Sequence, residues 1–142
     1  MTIGDNVFIG HFCVLDGTGN LEIEEGCQIA GWSGIYTHSS HISIRLYGAH
    51  YQDIPEADKE GFFVLPVHLG KYVFVGAGAM IFPGVTVGKG ALIHANTIVS
   101  RDVDEFSVVA GNPAQVVGDS RQLDQKYLDN DQLRQWYEEW QK

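Results

Sequence analysis

The 142 residues carry 18 acidic side chains against nine basic ones, for a formal charge of −9. A surface of that sign repels phosphate backbones and anionic lipid, which argues against nucleic acid and anionic membrane surfaces as partners. No apolar run approaches the roughly 18 residues of a membrane span, no signal-peptide pattern opens the chain, and the length suits one domain.

From the start, an aliphatic residue recurs every six positions. Ile3-Gly4, Ile9-Gly10 and Leu15 set the beat. After a two-residue shift it resumes at Ile23, Ile29 and Ile35. A period of six fits neither the 3.6 of a helix nor the alternation of a strand. It marks a repeat architecture, in which each short unit buries its aliphatic side chain only by stacking on its neighbours. The 17 glycines suit a fold made mostly of corners. Cys13 and Cys27 fall four residues after Ile9 and Ile23, a position that elsewhere holds Val7, Ser33, Val73, Ala79, Val85, Ala91 and Thr97. The expectation is two buried free thiols in a reducing cytoplasm.

An insertion of about 40–66 then breaks the period. It is aromatic and charged, with Arg45, Tyr47, His50, Tyr51, Asp53, Glu56 and Phe62 among its residues. Counting on from Ile35, the next inward aliphatic belongs at 41, where His41 stands instead. Either the chain leaves the column there or a polar group points inward at its lip. The beat restarts at Leu69-Gly70 and runs through Val75-Gly76, Ile81, Val87-Gly88 and Ile93 to Val99 without a slip.

Three hexads make one triangular turn, so twelve make about four turns, a column roughly 19 Å tall at a strand spacing of about 4.8 Å. So short a column has a small core, which predicts self-association. In the tail, Phe106 to Ala110 reads as a last strand and Gly111-Asn112-Pro113 as a turn. From Asp119 on, Leu123, Tyr127, Leu133, Trp136, Tyr137 and Trp140 fall near helical spacing, which predicts one amphipathic helix packed on the column or on a neighbouring subunit. The expected division is a repeat domain over 1–118 and a helical tail over 119–142.

The run Val73-Phe74-Val75-Gly76-Ala77-Gly78-Ala79-Met80-Ile81-Phe82-Pro83-Gly84-Val85-Thr86-Val87-Gly88-Lys89-Gly90-Ala91 resembles the hexapeptide-repeat acyltransferases. So do Val108-Val109-Ala110-Gly111-Asn112-Pro113-Ala114 and Thr37-His38-Ser39-Ser40-His41 before a long insertion. The likeness is closest to the branch of galactoside, maltose and streptogramin acetyltransferases and polysaccharide O-acetyltransferases. It implies an all-β, left-handed parallel β-helix, a homotrimer with each site between two subunits, acetyl-CoA as co-substrate, no metal, and a histidine base near the start of the inserted loop.

Acyl transfer from a thioester to a hydroxyl needs a base that titrates near neutrality, a donor for the developing oxyanion, and two substrates held face to face. A covalent enzyme intermediate is not required. Streptogramin-type spacing places the family's base on His41, and that of other branches on His38. The resemblance also assigns the Ala77 N–H to the thioester oxygen, and Phe74, Gly76, Ala77, Ala95, Ser100 and Arg101 to CoA. Arg101 suits CoA phosphates in a chain with few cations. Phe74 departs from a frequent tryptophan, and Gln115 from a basic residue. In the insertion, Arg45, Tyr47, His50 and Tyr51 suit a saccharide or another polar acceptor.

Three other readings stay open. One is N-acylation of an amino sugar or antibiotic. Another is a non-catalytic β-helix module of a larger protein, against which the histidine-bearing insertion argues. The third, a zinc enzyme on the same column, would use two histidines five apart, whereas His38 and His41 are three apart.

Overall fold

A computed structural model describes all 142 residues. The chain winds as a triangular parallel column. Coil one holds β1 (Thr2–Ile3), β2 (Phe8–Ile9) and β3 (Val14–Leu15). Coil two holds β4 (Leu21–Ile23), β5 (Gln28–Ile29) and β6 (Gly34–Ile35). The insertion follows, with β7 (His38–Ser39), α1 (Ser43–Tyr47), two 3₁₀ turns and β8 (Phe63–Val64). Coil three is β9 (Val67–Leu69), β10 (Phe74–Val75) and β11 (Met80–Ile81). Coil four is β12 (Thr86–Val87), β13 (Leu92–Ile93) and β14 (Ile98–Val99). A fifth, incomplete coil adds a Val87–Val103 bridge and β15 (Ser107–Ala110). The expected four turns are therefore four and part of a fifth.

Each face is a parallel ladder. The first runs β1-β4-β9-β12, the second β2-β5-β10-β13-β15, and the third β3-β6-β11-β14. Register follows the six-residue beat: Ile9, Ile29, Val75, Ile93 and Val109 pair in one inward column. From Ile23 to Val99 every residue on the beat is at most 1% exposed. In coil one, which has a neighbour on one side only, Ile3 is 44% and Ile9 38% exposed. The dry core thus begins at coil two.

Glycine after the aliphatic serves close approach rather than an unusual backbone angle. A Cβ on Gly76 would sit 2.5 Å from the backbone nitrogen of Ala95 in the next coil. The left-handed residues come two positions further on. At the first-to-second-face corner they are Asn6, Gly26, Tyr72, Gly90 and Phe106. There large rings lie over glycines: a Cβ on Gly26 would meet the Tyr72 ring at 2.4 Å, and one on Gly90 the Phe106 ring at 2.6 Å.

That corner receives the tail. Strand β16 (Gln115–Asp119) folds back antiparallel on β15, a pairing the period does not announce. The helix expected from Asp119 on is two helices, α2 (Ser120–Asp124) and α3 (Asp131–Gln141), because Asn130 opens a new one by capping the N–H groups of Gln132 and Leu133. Trp140 of α3 packs on Tyr72 (4.8 Å between ring centres) and Phe106 (5.8 Å), while Leu133 and Trp136 stay exposed. The Ser120 hydroxyl donates to the Gly90 carbonyl at 2.7 Å. No helix is long and apolar enough to cross a membrane.

Gly26→Ala is expected to destabilise the fold by about 1–3 kcal/mol, since it adds a left-handed penalty (φ +72°) to a ring clash. Urea unfolding of the variant against wild type reads the loss.

Candidate active site

The irregularities of the chain collect at the corner between the third and first faces. Coil one turns there through Asp16-Gly17-Thr18-Gly19-Asn20, where the two-residue shift bulges outward. Coil two expels the whole insertion there. Coils three and four turn through Phe82-Pro83-Gly84 and Ser100-Arg101-Asp102.

Thr37 is the last residue with its side chain inside, fully buried. Beyond it the chain departs, and β7 pairs antiparallel with β8, His38 opposite Val64 and Ser39 opposite Phe63. His41 is exposed, so of the two alternatives at position 41 the chain leaves the column.

Asp16, absent from the sequence-based candidates, organises the departure. Its Oδ1 accepts from the Thr18 N–H (3.0 Å) and hydroxyl (2.6 Å). Its Oδ2 accepts from the Thr37 N–H (2.8 Å) and lies 2.6 Å from His38 Nδ1. The Thr37 hydroxyl accepts from the Gly19 N–H and lies 2.9 Å from both the Asp16 carbonyl and Oδ2. The Asp16 side chain is only 11% exposed. Burial works to raise its pKa, but the bonds from Thr18, Thr37 and His38 outweigh it and hold the carboxyl well below the usual carboxylate range. The one trace of this in the sequence is the shift from Leu15 to Ile23.

The second histidine sits in a different setting. His41 Nδ1 is 2.7 Å from the Ser39 hydroxyl, and its ring stacks on Phe63 at 5.5 Å. His41 shares a groove with Ser39, Phe63, Leu65, Phe82, Pro83 and Ser100. Ser100 also borders a cavity lined by Arg101, Asp102, Pro113 and Gln115. Arg101 is exposed and enters none of the ion pairs of the chain. His41, Ser100 and Arg101 thus lie along one corner.

The other candidates lie elsewhere. Phe74 faces outward from the second face, and Gly76, Ala77 and Ala95 turn the corner between the second and third faces, a whole face away from His41. Ala77 and Ala95 are exposed. Of the insertion residues, Arg45 donates to the His41 carbonyl and so braces that loop. The Tyr47 hydroxyl accepts from the Glu60 N–H at 2.8 Å and staples the insertion to itself. Tyr51 lies under the Lys59 ammonium at 4.2 Å, and His50 is open to solvent beside Asp53. His11 and His94 are exposed corner residues, and His68 pairs with Glu24 at 2.8 Å on the first face.

Both thiols are free. Burial pushes Cys27 up to about 11, while Cys13 is half-buried and donates to the Ala30 carbonyl at 3.2 Å.

Residues 66–101 match the family model described as the hexapeptide repeat of succinyl-transferase. The dTDP-4-amino-4,6-dideoxy-D-glucose acyltransferase of Escherichia coli is 31% identical over 137 residues, covering 84% of this chain and 71% of that protein. The chain belongs to the hexapeptide-repeat acyltransferase family. Membership implies the left-handed sense of the coil. A Saccharomyces cerevisiae protein named as an acetyltransferase is 37% identical over 118 residues, 81% of this chain and 54% of its own length. The crystal structure of a maltose O-acetyltransferase from Clostridium difficile superposes with a TM-score of 0.70 at 28% identity, over 82% of this chain and 57% of that one. The chain therefore spans little more than half the length of these two hexapeptide-repeat relatives.

Asp16→Ala is expected to cost about 1.5–3 kcal/mol of stability at neutral pH, the worth of hydrogen bonds to a charged group. Because the folded-state pKa is depressed, this contribution is complete above the unfolded carboxylate value of about 4 and is lost as the pH falls below it. The gap between wild type and variant, measured by denaturation from pH 7 to pH 2, should narrow on the acid side only.

Proposed function

We propose that the chain is a CoA-dependent acyltransferase that moves an acetyl group to a hydroxyl of a saccharide, with His41 as the general base. The carrying observation is the groove that joins His41 to Ser100, next to the cavity of Arg101 and Gln115. In the tautomer in which His41 Nδ1–H donates to the Ser39 hydroxyl, Nε2 keeps its lone pair and is left for the acceptor. Neutral Nε2 takes the hydroxyl proton as the oxygen attacks the thioester carbonyl, and the proton then leaves with the departing thiolate.

The residues present suit CoA. Arg101 is a free cation in the cavity that Ser100 and Pro113 also line, and Ala77 and Ala95 are small where an extended arm must pass. These groups sit on two different corners of one column, so a single chain cannot close them on one ligand. Two copies, each giving one corner, can, which supports the homotrimer with its sites between subunits. A cytoplasmic setting accords with both thiols being free.

A purely structural module would have no use for a histidine held at Nδ1 beside a groove. An amine acceptor remains the second reading, favoured by the likeness to an amino-sugar acyltransferase.

Thiol release from acetyl-CoA with a panel of sugars and amino sugars tests the activity. His41→Ala should lower turnover at least 100-fold with its melting temperature unchanged. Near-normal turnover in that variant, with His38→Ala inactive, would reverse the assignment.

A further inference from the structure

The Asp16–His38 pair is not needed for the proton transfer assigned to His41, yet it is the most elaborate polar arrangement in the chain. A carboxylate nearly nine-tenths buried is oriented by three bonds from Thr18 and Thr37 before His38 is counted. Its remaining capacity falls on His38 Nδ1 at 2.6 Å. An ionised carboxylate only accepts, so Nδ1 must carry the proton, and in the neutral ring Nε2 must then be the lone pair. Nε2 has no partner in the chain, and the side chain is 41% exposed. Beside the ring stands Phe62, 5.9 Å away at 35°. An oriented acceptor next to an aromatic wall fits a molecule with a hydroxyl on one edge and an apolar C–H face, as a pyranose has.

We infer that Asp16 is a positioning residue for acceptor binding: it fixes His38 as the Nδ1–H tautomer, so that His38 Nε2 receives a hydrogen bond from an acceptor hydroxyl. This rests on the saccharide reading above and deepens it. It divides the two histidines, His41 for proton transfer and His38 for acceptor placement. The two-residue shift in the repeat then has a use, since the longer corner supplies Thr18 and Gly19, which bond to Asp16 and Thr37.

The first test needs no turnover. Long-range ¹H–¹⁵N correlation spectra of histidine-labelled protein, recorded where the rings are neutral, should show His38 protonated on Nδ1. In Asp16→Asn, which removes the charge and replaces one carboxylate oxygen with a donor, the preference for Nδ1–H should weaken. An Nε2–H tautomer of His38 in wild type would overturn the proposal, whatever the activity. The second test uses the saccharide that turns over best in the acetyl-CoA assay. Asp16→Asn should raise the acceptor KM about tenfold or more, with kcat within about threefold and the acetyl-CoA KM unchanged. Because Asp16→Asn risks misfolding, two His38 variants give the same reading independently. His38→Gln, whose side-chain oxygen can accept a hydrogen bond, should keep a lower acceptor KM than His38→Leu. Equal acceptor KM values for both, or a fall in kcat with the acceptor KM untouched, would overturn the inference. If wild type turned over no acceptor while His38 showed the expected tautomer, the acyltransferase reading would fail and the role of Asp16 in holding His38 would stand.

Discussion

Stacking at strand spacing is the constraint from which the rest of this protein follows. No strand exceeds a few residues, and none has a hydrophobic face that it can bury alone. Ile29 is dry because Val75 stacks on it in register, and Val75 because Ile93 stacks on it in turn. The contact is close enough that Gly76 has no room for a methyl group against Ala95, so adjacent coils touch through backbone at the corners. Coil one shows the same rule by exception, with Ile3 and Ile9 on the beat but partly open because one neighbour is missing.

A column bound this tightly tolerates irregularity only where the chain can move outward. Within the coils it falls on one edge, where the slip at 16–20, the insertion after Thr37 and the turns at Phe82-Pro83 and Ser100-Arg101 stack on one another. The regular faces act as a rigid frame, and that edge is free to carry polar groups. The Asp16 carboxylate ties coil one to the start of the insertion, so the loop bearing His38, Ser39 and His41 is anchored at its root. Arg45, bound to the His41 carbonyl, and Tyr47, bound to Glu60, steady it from the far side. Placing reactive groups on a loop held by a rigid scaffold is a general solution to combining precision with variation.

The column was legible in the sequence because its period is enforced by burial. Every beat from Ile23 to Val99 marks an inward residue, and the missed beat at His41 marks where the chain departs. What escaped sequence reading depends on contacts between residues far apart in the chain. Asp16 is unremarked beside Leu15 until Thr37 and His38 are brought over it by the coil above. The folding back of β16 and the break between α2 and α3 rest on a turn and a cap with no periodic signature. Tyr47 reads as a ligand contact by composition, and only its bond to Glu60 shows that its hydroxyl is spent inside the loop. Glycine where it follows an aliphatic on the beat reads as a corner residue, while its actual reason, the backbone of the next coil, needs the third dimension.

If the reactive site is divided between two corners of the column, as proposed above, two copies of the chain are needed to complete it. Mixed assembly tests it directly. Ala77→Trp blocks one corner and His41→Ala empties the other, so each variant alone should be inactive. Co-refolded at equal amounts, the two should regain about a quarter of wild-type turnover per site, the share of random pairings that join two intact corners. Mixtures that stay as inactive as the separate variants, while forming the same oligomer, would contradict the account.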